Sequence, residues 1–320
     1  LADPTCPEPL PIIAIDDPTL SMVFRANDSP GFGQEARFST SRQLRERLLR
    51  AQERDVALKV EDFQEGFKVS GRGVLHFSIL MEQMRREGFE FIVGQPQVIY
   101  KEIGGRKSEP VEVLTVDVPS ELAGTVIEYA ASRKGEMVRM DVREGRTHLD
   151  FHIPSRGLIG FRSRMLRATA GEIVMHHRFH QYEYFKGSIP ERTSGSIISM
   201  HGGKAVAFAL DALQDRGIFF VEAGDTLYTG QIIGETPRDE DIMVNAQKAK
   251  QLSNMRASGS DRKMKIAPPL KMSLEEALEY LNHDEYVEVT PKSIRLRKAL
   301  LDENDRKQAA KRAKLSGPES

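Results

Sequence analysis

One order of secondary-structure signals occurs twice before Tyr184, and this repeat constrains the fold more than any single motif. Leu20-Ser-Met-Val-Phe-Arg-Ala alternates as a strand does. Ser39–Arg50 follows, with Leu44, Leu48 and Leu49 on one helical face. Val56-Ala-Leu-Lys-Val and Phe67-Lys-Val-Ser are short strand runs, Val74–Met84 is a second helical run, and Phe89-Glu-Phe-Ile-Val closes the set. The order is β-α-β-β-α-β, the ferredoxin-like arrangement. It returns as Val111–Val118, a helix from Pro119 through Val126, Ile127 and Ala130, strands Glu136–Val142 and Thr147–Ile153 around Glu144-Gly145, a helix opening at Pro154-Ser-Arg-Gly, and a last strand Glu172–His180. Gly104-Gly-Arg-Lys-Ser-Glu-Pro suits a linker between the two units.

From Ser188 the signals turn mainly to β: Gly195–Met200, Ile218–Val221, Thr226–Tyr228 and Gln231–Gly234. A helix is expected over Ala205–Asp215, ended by Gly217, and Ser273-Leu-Glu-Glu opens another with a capping box. Val287-Glu-Val-Thr-Pro reads as a strand, and Arg295 onward as a charged helix. The fold class is therefore α+β, with two tandem ferredoxin-like domains followed by a β-rich C-terminal domain carrying a basic loop. The expected divisions are a linker over 1–9, domains over 10–103, 109–187 and 188–304, and a flexible tail over 305–320.

Composition removes several function classes. No apolar run approaches the ~18 residues of a membrane span. The single cysteine, Cys6, lies among prolines; it excludes an internal disulfide framework and a cysteine-clustered zinc site, and suits a reducing cytoplasm. The opening Leu1-Ala-Asp-Pro-Thr-Cys-Pro-Glu-Pro reads as a linker, so a fragment of a longer chain is expected. The net charge is −1, so any polyanion binding must rest on local clustering.

No Gly-x-x-x-x-Gly-Lys-Ser/Thr tract exists; Gly202-Gly203-Lys204 lacks the upstream glycine and the hydroxyl, and Asp28-Ser-Pro-Gly31 matches a nucleotide-binding pattern by letters only. No hydrolysis of GTP by this chain is expected, and no carboxylate pair or nucleophile arrangement stands out as catalytic. His176-His177-x-x-His180 looks like a ligand cluster, but on a strand His176 and His180 sit ~13 Å apart, so no metal is expected there. Polyanion binding has the best local case. Val244–Lys265 holds Lys248, Lys250, Arg256, Arg262, Lys263 and Lys265 against Asp261 alone, among Asn, Gln, Ser and Gly that let backbone and amides approach phosphates and bases. Lys292–Lys314 is also basic, but interleaved Asp302, Glu303 and Asp305 read as an exposed helix. Pro154-Ser-Arg-Gly-Leu-Ile-Gly-Phe-Arg puts Arg156 and Arg162 around a glycine-rich helix start, either an anion site or a tight turn with close helix–sheet packing.

Three stretches carry a resemblance. Ser70-Gly-Arg-Gly-Val-Leu-His-Phe-Ser-Ile-Leu resembles a motif in the third domain of elongation factor G-like translational GTPases. The Pro154–Arg162 motif and Gln247-Lys-Ala-Lys-Gln-Leu-Ser-Asn-Met-Arg-Ala-Ser-Gly are similar to signatures of the BipA/TypA family within that group, and the likeness runs from Pro9 to Arg306. The resemblance implies a third-domain equivalent at 10–103, a fifth-domain equivalent at 109–187 and a family-specific C-terminal domain at 188–304. It also implies an upstream GTPase domain and β-barrel, so that GTP and Mg belong to the full-length parent and no cofactor to this chain. The implied partners are the ribosome (ribosomal RNA, A-site tRNA and ribosomal proteins), not DNA or membrane, in large-subunit assembly and growth under stress or cold. The implied RNA-binding residues are Lys248, Lys250, Asn254, Arg256 and Ser258; Arg262, Lys263 and Lys265 rest on charge alone. Arg156 and Arg162 are candidate ribosome contacts. Asp28–Ala36 departs from the family's glycine placement. Two other classes stay open at this point: a protein–protein docking module with no RNA contact, and an enzyme with an unrecognised site.

Overall fold

The computed structural model describes residues 18–64, 66–190, 192–249 and 266–316. The first β-α-β-β-α-β set is β1 (Leu20–Arg25), α1 (Ser41–Arg54), β2 (Lys59–Phe63), β3 (Gly66–Gly71), α2 (Val74–Glu87) and β4 (Phe91–Val93). A capping box starts α1: the Thr40 hydroxyl accepts from the Gln43 amide, and the Gln43 side chain accepts from the Thr40 amide. Gly88, at φ +96°, ends α2 in the left-handed region that suits glycine. The strand expected over 56–60 begins later, because Asp55–Ala57 turns first and the Asp55 carboxylate accepts from the Ala57 amide.

Short strands β5 (Gln97–Val98) and β6 (Lys101–Ile103) lead into β7 (Arg106–Pro119). The second set continues with α3 (Ala123–Ser132), β8 (Glu136–Arg143), β9 (Arg146–Pro154), α4 (Ser155–Leu158), α5 (Phe161–Ala168) and β10 (Val174–Tyr184). Its sheet runs β10-β7-β9-β8, with β6 on β7. Leu114, Val116, Val118, Leu149, Phe151 and Ile153 cover one face and pack on Val126, Phe161 and Met165 of the helices. The single helix expected after Pro154 is two. Gly160 takes φ +73° between them, and the Arg133 guanidinium donates to the Arg156, Gly157 and Ile159 carbonyls that the first helix leaves unpaired.

The remainder comprises β11 (Gly195–Ser199), β12 (Gly203–Lys204), α6 (Ala207–Leu213), β13 (Ile218–Phe219), β14 (Thr226–Leu227), β15 (Gln231–Thr236), β16 (Ile242–Val244), α7 (Leu274–Tyr280), β17 (Glu285–Val289), β18 (Ile294–Lys298) and α8 (Glu303–Ser316). The capping box at Ser273 forms, with the Ser273 hydroxyl accepting from the Glu276 amide. The C-terminal run corrects the sequence reading at its start. Residues 294–298 form a strand, not a helix: Leu296 faces the core while Arg295 and Arg297 meet acidic partners, Glu35 and Glu288 for the first and Asp28 for the second. Arg297 is 1% exposed, so these cations are not a solvated face. Glu303–Ser316 is helical, as the charged run after Arg295 was expected to be. The expected linker, 1–9, lies outside the described residues.

The regions expected as first and last domains share one sheet, ordered β16-β11-β15-β18-β17-β4-β1-β3-β2. The seam is β4 against β17, with Phe91 opposite Val289, Ile92 opposite Glu288 and Val93 opposite Val287. One hydrophobic core crosses it, from Phe24, Phe77, Met81 and Phe91 to Leu274, Leu278, Val287 and Ile232. A buried polar cluster crosses it too: the Glu288 carboxylate accepts from Asn27 at 3.0 Å, Ser29 at 3.0 Å, Tyr228 at 2.5 Å and Arg295 at 3.2 Å. Among the described residues no helix is long and apolar enough to cross a membrane.

Candidate nucleic-acid interface

The basic loop follows β16 and precedes α7, and both of its stems are pinned to neighbouring backbone. On the outgoing side Val244 and Ala246 are buried, Met200 N donates to Val244 O at 2.9 Å, and Val206 N donates to Ala246 O at 2.9 Å. Asn245 closes a local turn by accepting from the Gln247 amide, and the Gln247 side-chain amide donates to Ser199 Oγ and the His201 carbonyl. On the returning side Leu270 N donates to Phe219 O at 2.8 Å. Lys248 stands exposed just past the outgoing stem. The other residues of the expected site, Lys250, Asn254, Arg256, Ser258, Arg262, Lys263 and Lys265, lie outside the described residues. The described stems on both sides of 250–265 are thus held by backbone hydrogen bonds.

Arg156 and Arg162 part company. The Arg156 guanidinium is bidentate to Glu109, whose side chain is fully buried, donates to the Gly187 carbonyl at 2.5 Å and lies over the Phe185 ring. It ties down the strand end where the chain leaves β10, which is the tight-packing reading of the motif rather than the anion-site reading. Arg162 is exposed on α5, a short distance from His177. Two further arginines of that helix, Arg164 and Arg167, line a cleft of about 1000 Å³ between α5, α7 and the 189–194 segment. Their three-residue spacing, which puts them on one helix face, is a signal the sequence carries. Opposite them Arg192 pairs with Glu285 at 2.8 Å and stacks on Tyr280.

Two carboxylates shape the charge of this region. Burial pushes the Glu279 carboxyl up to about 7, against the pull of the Ser163 hydroxyl and the Gly160 amide, which donate to it; Glu275 and Glu276 nearby raise it further. The Glu112 carboxylate, 2.5 Å from His177 Nδ1, raises the imidazole above its usual range. The folded state therefore favours protonated Glu279. Its stabilising contribution is complete below the unfolded value of 4.5 and is lost as pH rises through about 7, a swing of up to ~3 kcal/mol. Glu279→Gln is expected to exceed the parent chain in denaturant stability at pH 8 by about 1–3 kcal/mol and to match it at pH 4.5. An equal difference at both pH values would contradict this assignment.

Comparison with known proteins agrees with the fold read from the site. Residues 106–193 match the elongation factor G C-terminus, and residues 194–303 match the TypA/BipA C-terminal domain. The large ribosomal subunit assembly factor BipA of Salmonella typhimurium is 49% identical over 313 residues, 97% of this chain and 52% of that protein. The factor of the same name from Synechocystis sp. is 50% identical over 301 residues, 93% of this chain and 50% of that protein. The one from Bacillus subtilis is 46% identical over 325 residues, 99% of this chain and 53% of that protein. The chain thus spans about half the length of the curated relatives it matches. With a ferredoxin-like elongation factor G C-terminus leading directly into a TypA/BipA C-terminal domain, the chain belongs to the BipA family of elongation factor G-like proteins.

Proposed function

We propose that this chain is the ribosome- and tRNA-contacting part of a translational GTPase that acts in assembly of the large ribosomal subunit and in translation under stress or cold. The observation that carries this reading is the basic stretch 244–265 between pinned stems, in relatives named as large-subunit assembly factors. In this mechanism the joined sheets form a rigid spacer, and the loop places Lys248, Lys250 and Arg256 against phosphates, with Asn254 and Ser258 available to bases or sugars. Ribosomal RNA, the acceptor end of A-site tRNA and ribosomal proteins are the partners, in the cytoplasm. GTP and Mg²⁺ act in a part of the protein outside this chain, and this chain contributes positioning rather than hydrolysis.

Co-sedimentation with ribosomes across a salt series tests the proposal, using the chain and its Lys248→Ala/Lys250→Ala/Arg256→Ala variant. The parent's affinity should fall steeply with salt, and the variant's log–log slope should be shallower by about 2, at ~0.7 per lost phosphate contact. The variant's thermal transition should not move. Salt-insensitive binding that the variant retains in full would refute phosphate recognition by the loop. One observation favours protein docking as a second reading: the edge strand β8 leaves Met137, Val138, Met140 and Val142 exposed.

A further inference from the structure

The histidine-rich run forms a strand, and one of its histidines meets ligand-type groups from elsewhere. His152 on β9 lies opposite Val113 of β7. On the other side of β7 the ladder with β10 shifts between Phe179 and Gln181, so His180 is the residue displaced by the bulge. A bulge re-aims its side chain. Here the His180 ring stacks on the His152 ring, with centroids 4.5 Å apart and planes at 30°. The Glu183 carboxylate joins them, and one ligand atom from each of the three lies within 4.8 Å of the others.

We propose that His152, His180 and Glu183 form a binding site for a divalent transition-metal ion, with Zn²⁺ as the best fit. Two imidazoles and one carboxylate are a nitrogen–oxygen set of the kind that holds Zn²⁺ with water in the fourth position. At Zn–N distances of about 2.0–2.1 Å, tetrahedral donors sit about 3.4 Å apart, so side-chain rotation alone closes the site. Lys186 is the resident cation: its Nζ lies 3.0 Å from Glu183 Oε2 and 3.0 Å from Glu136 Oε1. Metal entry displaces the ammonium from Glu183 and leaves it on Glu136. Gln181 Nε2 donates to Glu183 Oε1 at 3.2 Å and orients the carboxylate from outside. The bound ion would staple β9 to β10 across β7, close to where Arg156 fastens Gly187. Ligands drawn from two strands and a bulge are invisible to a spacing argument confined to His176-His177-x-x-His180.

The test is titration of the whole EDTA-treated chain with Co²⁺ and with Zn²⁺ at pH 7.5. The parent should take up one equivalent of Co²⁺ with visible d–d absorption, be displaced by Zn²⁺, and show a higher thermal midpoint with Zn²⁺. His180→Gln and Glu183→Gln should each lose the band and weaken Zn²⁺ by at least about 100-fold, the upper end of what the loss of an outer-shell partner costs. His201→Gln, an exposed histidine outside the cluster, should bind as the parent does. All three positions lie outside the hydrophobic core, and circular dichroism of each variant checks that the fold is intact. No stoichiometric Co²⁺ band in the parent, or parent-like binding by a folded His180→Gln, would overturn the site.

Discussion

Glu285→Ala is expected to cost about 3–5 kcal/mol of folding stability, read from denaturant midpoints. The Glu285 side chain is fully buried and accepts from Arg192 at 2.8 Å, Ser196 Oγ at 2.7 Å, Lys298 at 3.0 Å and the Asn282 amide at 3.0 Å. Burial alone would raise its pKa, but Arg192 and Lys298 outweigh that and hold the carboxyl below its usual range. Removing it leaves the buried Arg192 guanidinium without a carboxylate, on the Tyr280 carbonyl and Ser196 Oγ alone, while Lys298 keeps Asp241 and Asp284. A buried ion lacking a partner is costlier than an apolar replacement of the whole pair. The double variant Glu285→Met/Arg192→Met, which removes the guanidinium along with its carboxylate, should therefore be less destabilised than Glu285→Ala. A double variant that loses more than Glu285→Ala would show that the ion pair itself, rather than its half-removal, holds this junction.

Phe91→Ala is expected to cost a similar 3–5 kcal/mol, but its signature is where the loss spreads. Phe91 is fully buried on β4, stacks on Phe24 at 5.7 Å and sits opposite Val289 in the seam. If β4 and β17 join one cooperative sheet, hydrogen exchange should quicken in β1 and β3 and equally in β17 and β18. Phe151→Ala, in the separate core of the second sheet, should quicken exchange in β7 and β9 and spare that seam. Loss confined to 18–103 in the Phe91 variant would mean that the shared sheet is two independent folding units.

The element order was legible because the strands and helices before Tyr184 carry clean periods of two and 3.6 residues. The cap at Ser273 was legible too, since a Glu follows it three residues on. The misreadings have physical causes. Residues 294–298 look like a solvated charge run because sequence order does not show Asp28, Glu35 and Glu288 waiting across the sheet. For Arg156 the anion site and the tight turn both stay open in the sequence, because its partner Glu109 is far away in the chain. The seam between β4 and β17 is a long-range pairing, and no local pattern in Phe89–Val93 announces a second neighbour. The same limit hid the His152, His180 and Glu183 cluster. For the basic loop, composition pointed to phosphate, and the structure adds its anchored stems and the exposure of Lys248.

In the proposed function the 244–265 loop meets RNA on the ribosome. A photo-reactive diazirine residue at Ala257, inside the loop and beside Arg256, tests it directly when the chain is bound to ribosomes and irradiated. The account predicts adducts on large-subunit ribosomal RNA or tRNA that weaken in high salt. Adducts formed only with ribosomal proteins, while the chain stays bound, would contradict it and favour the docking reading.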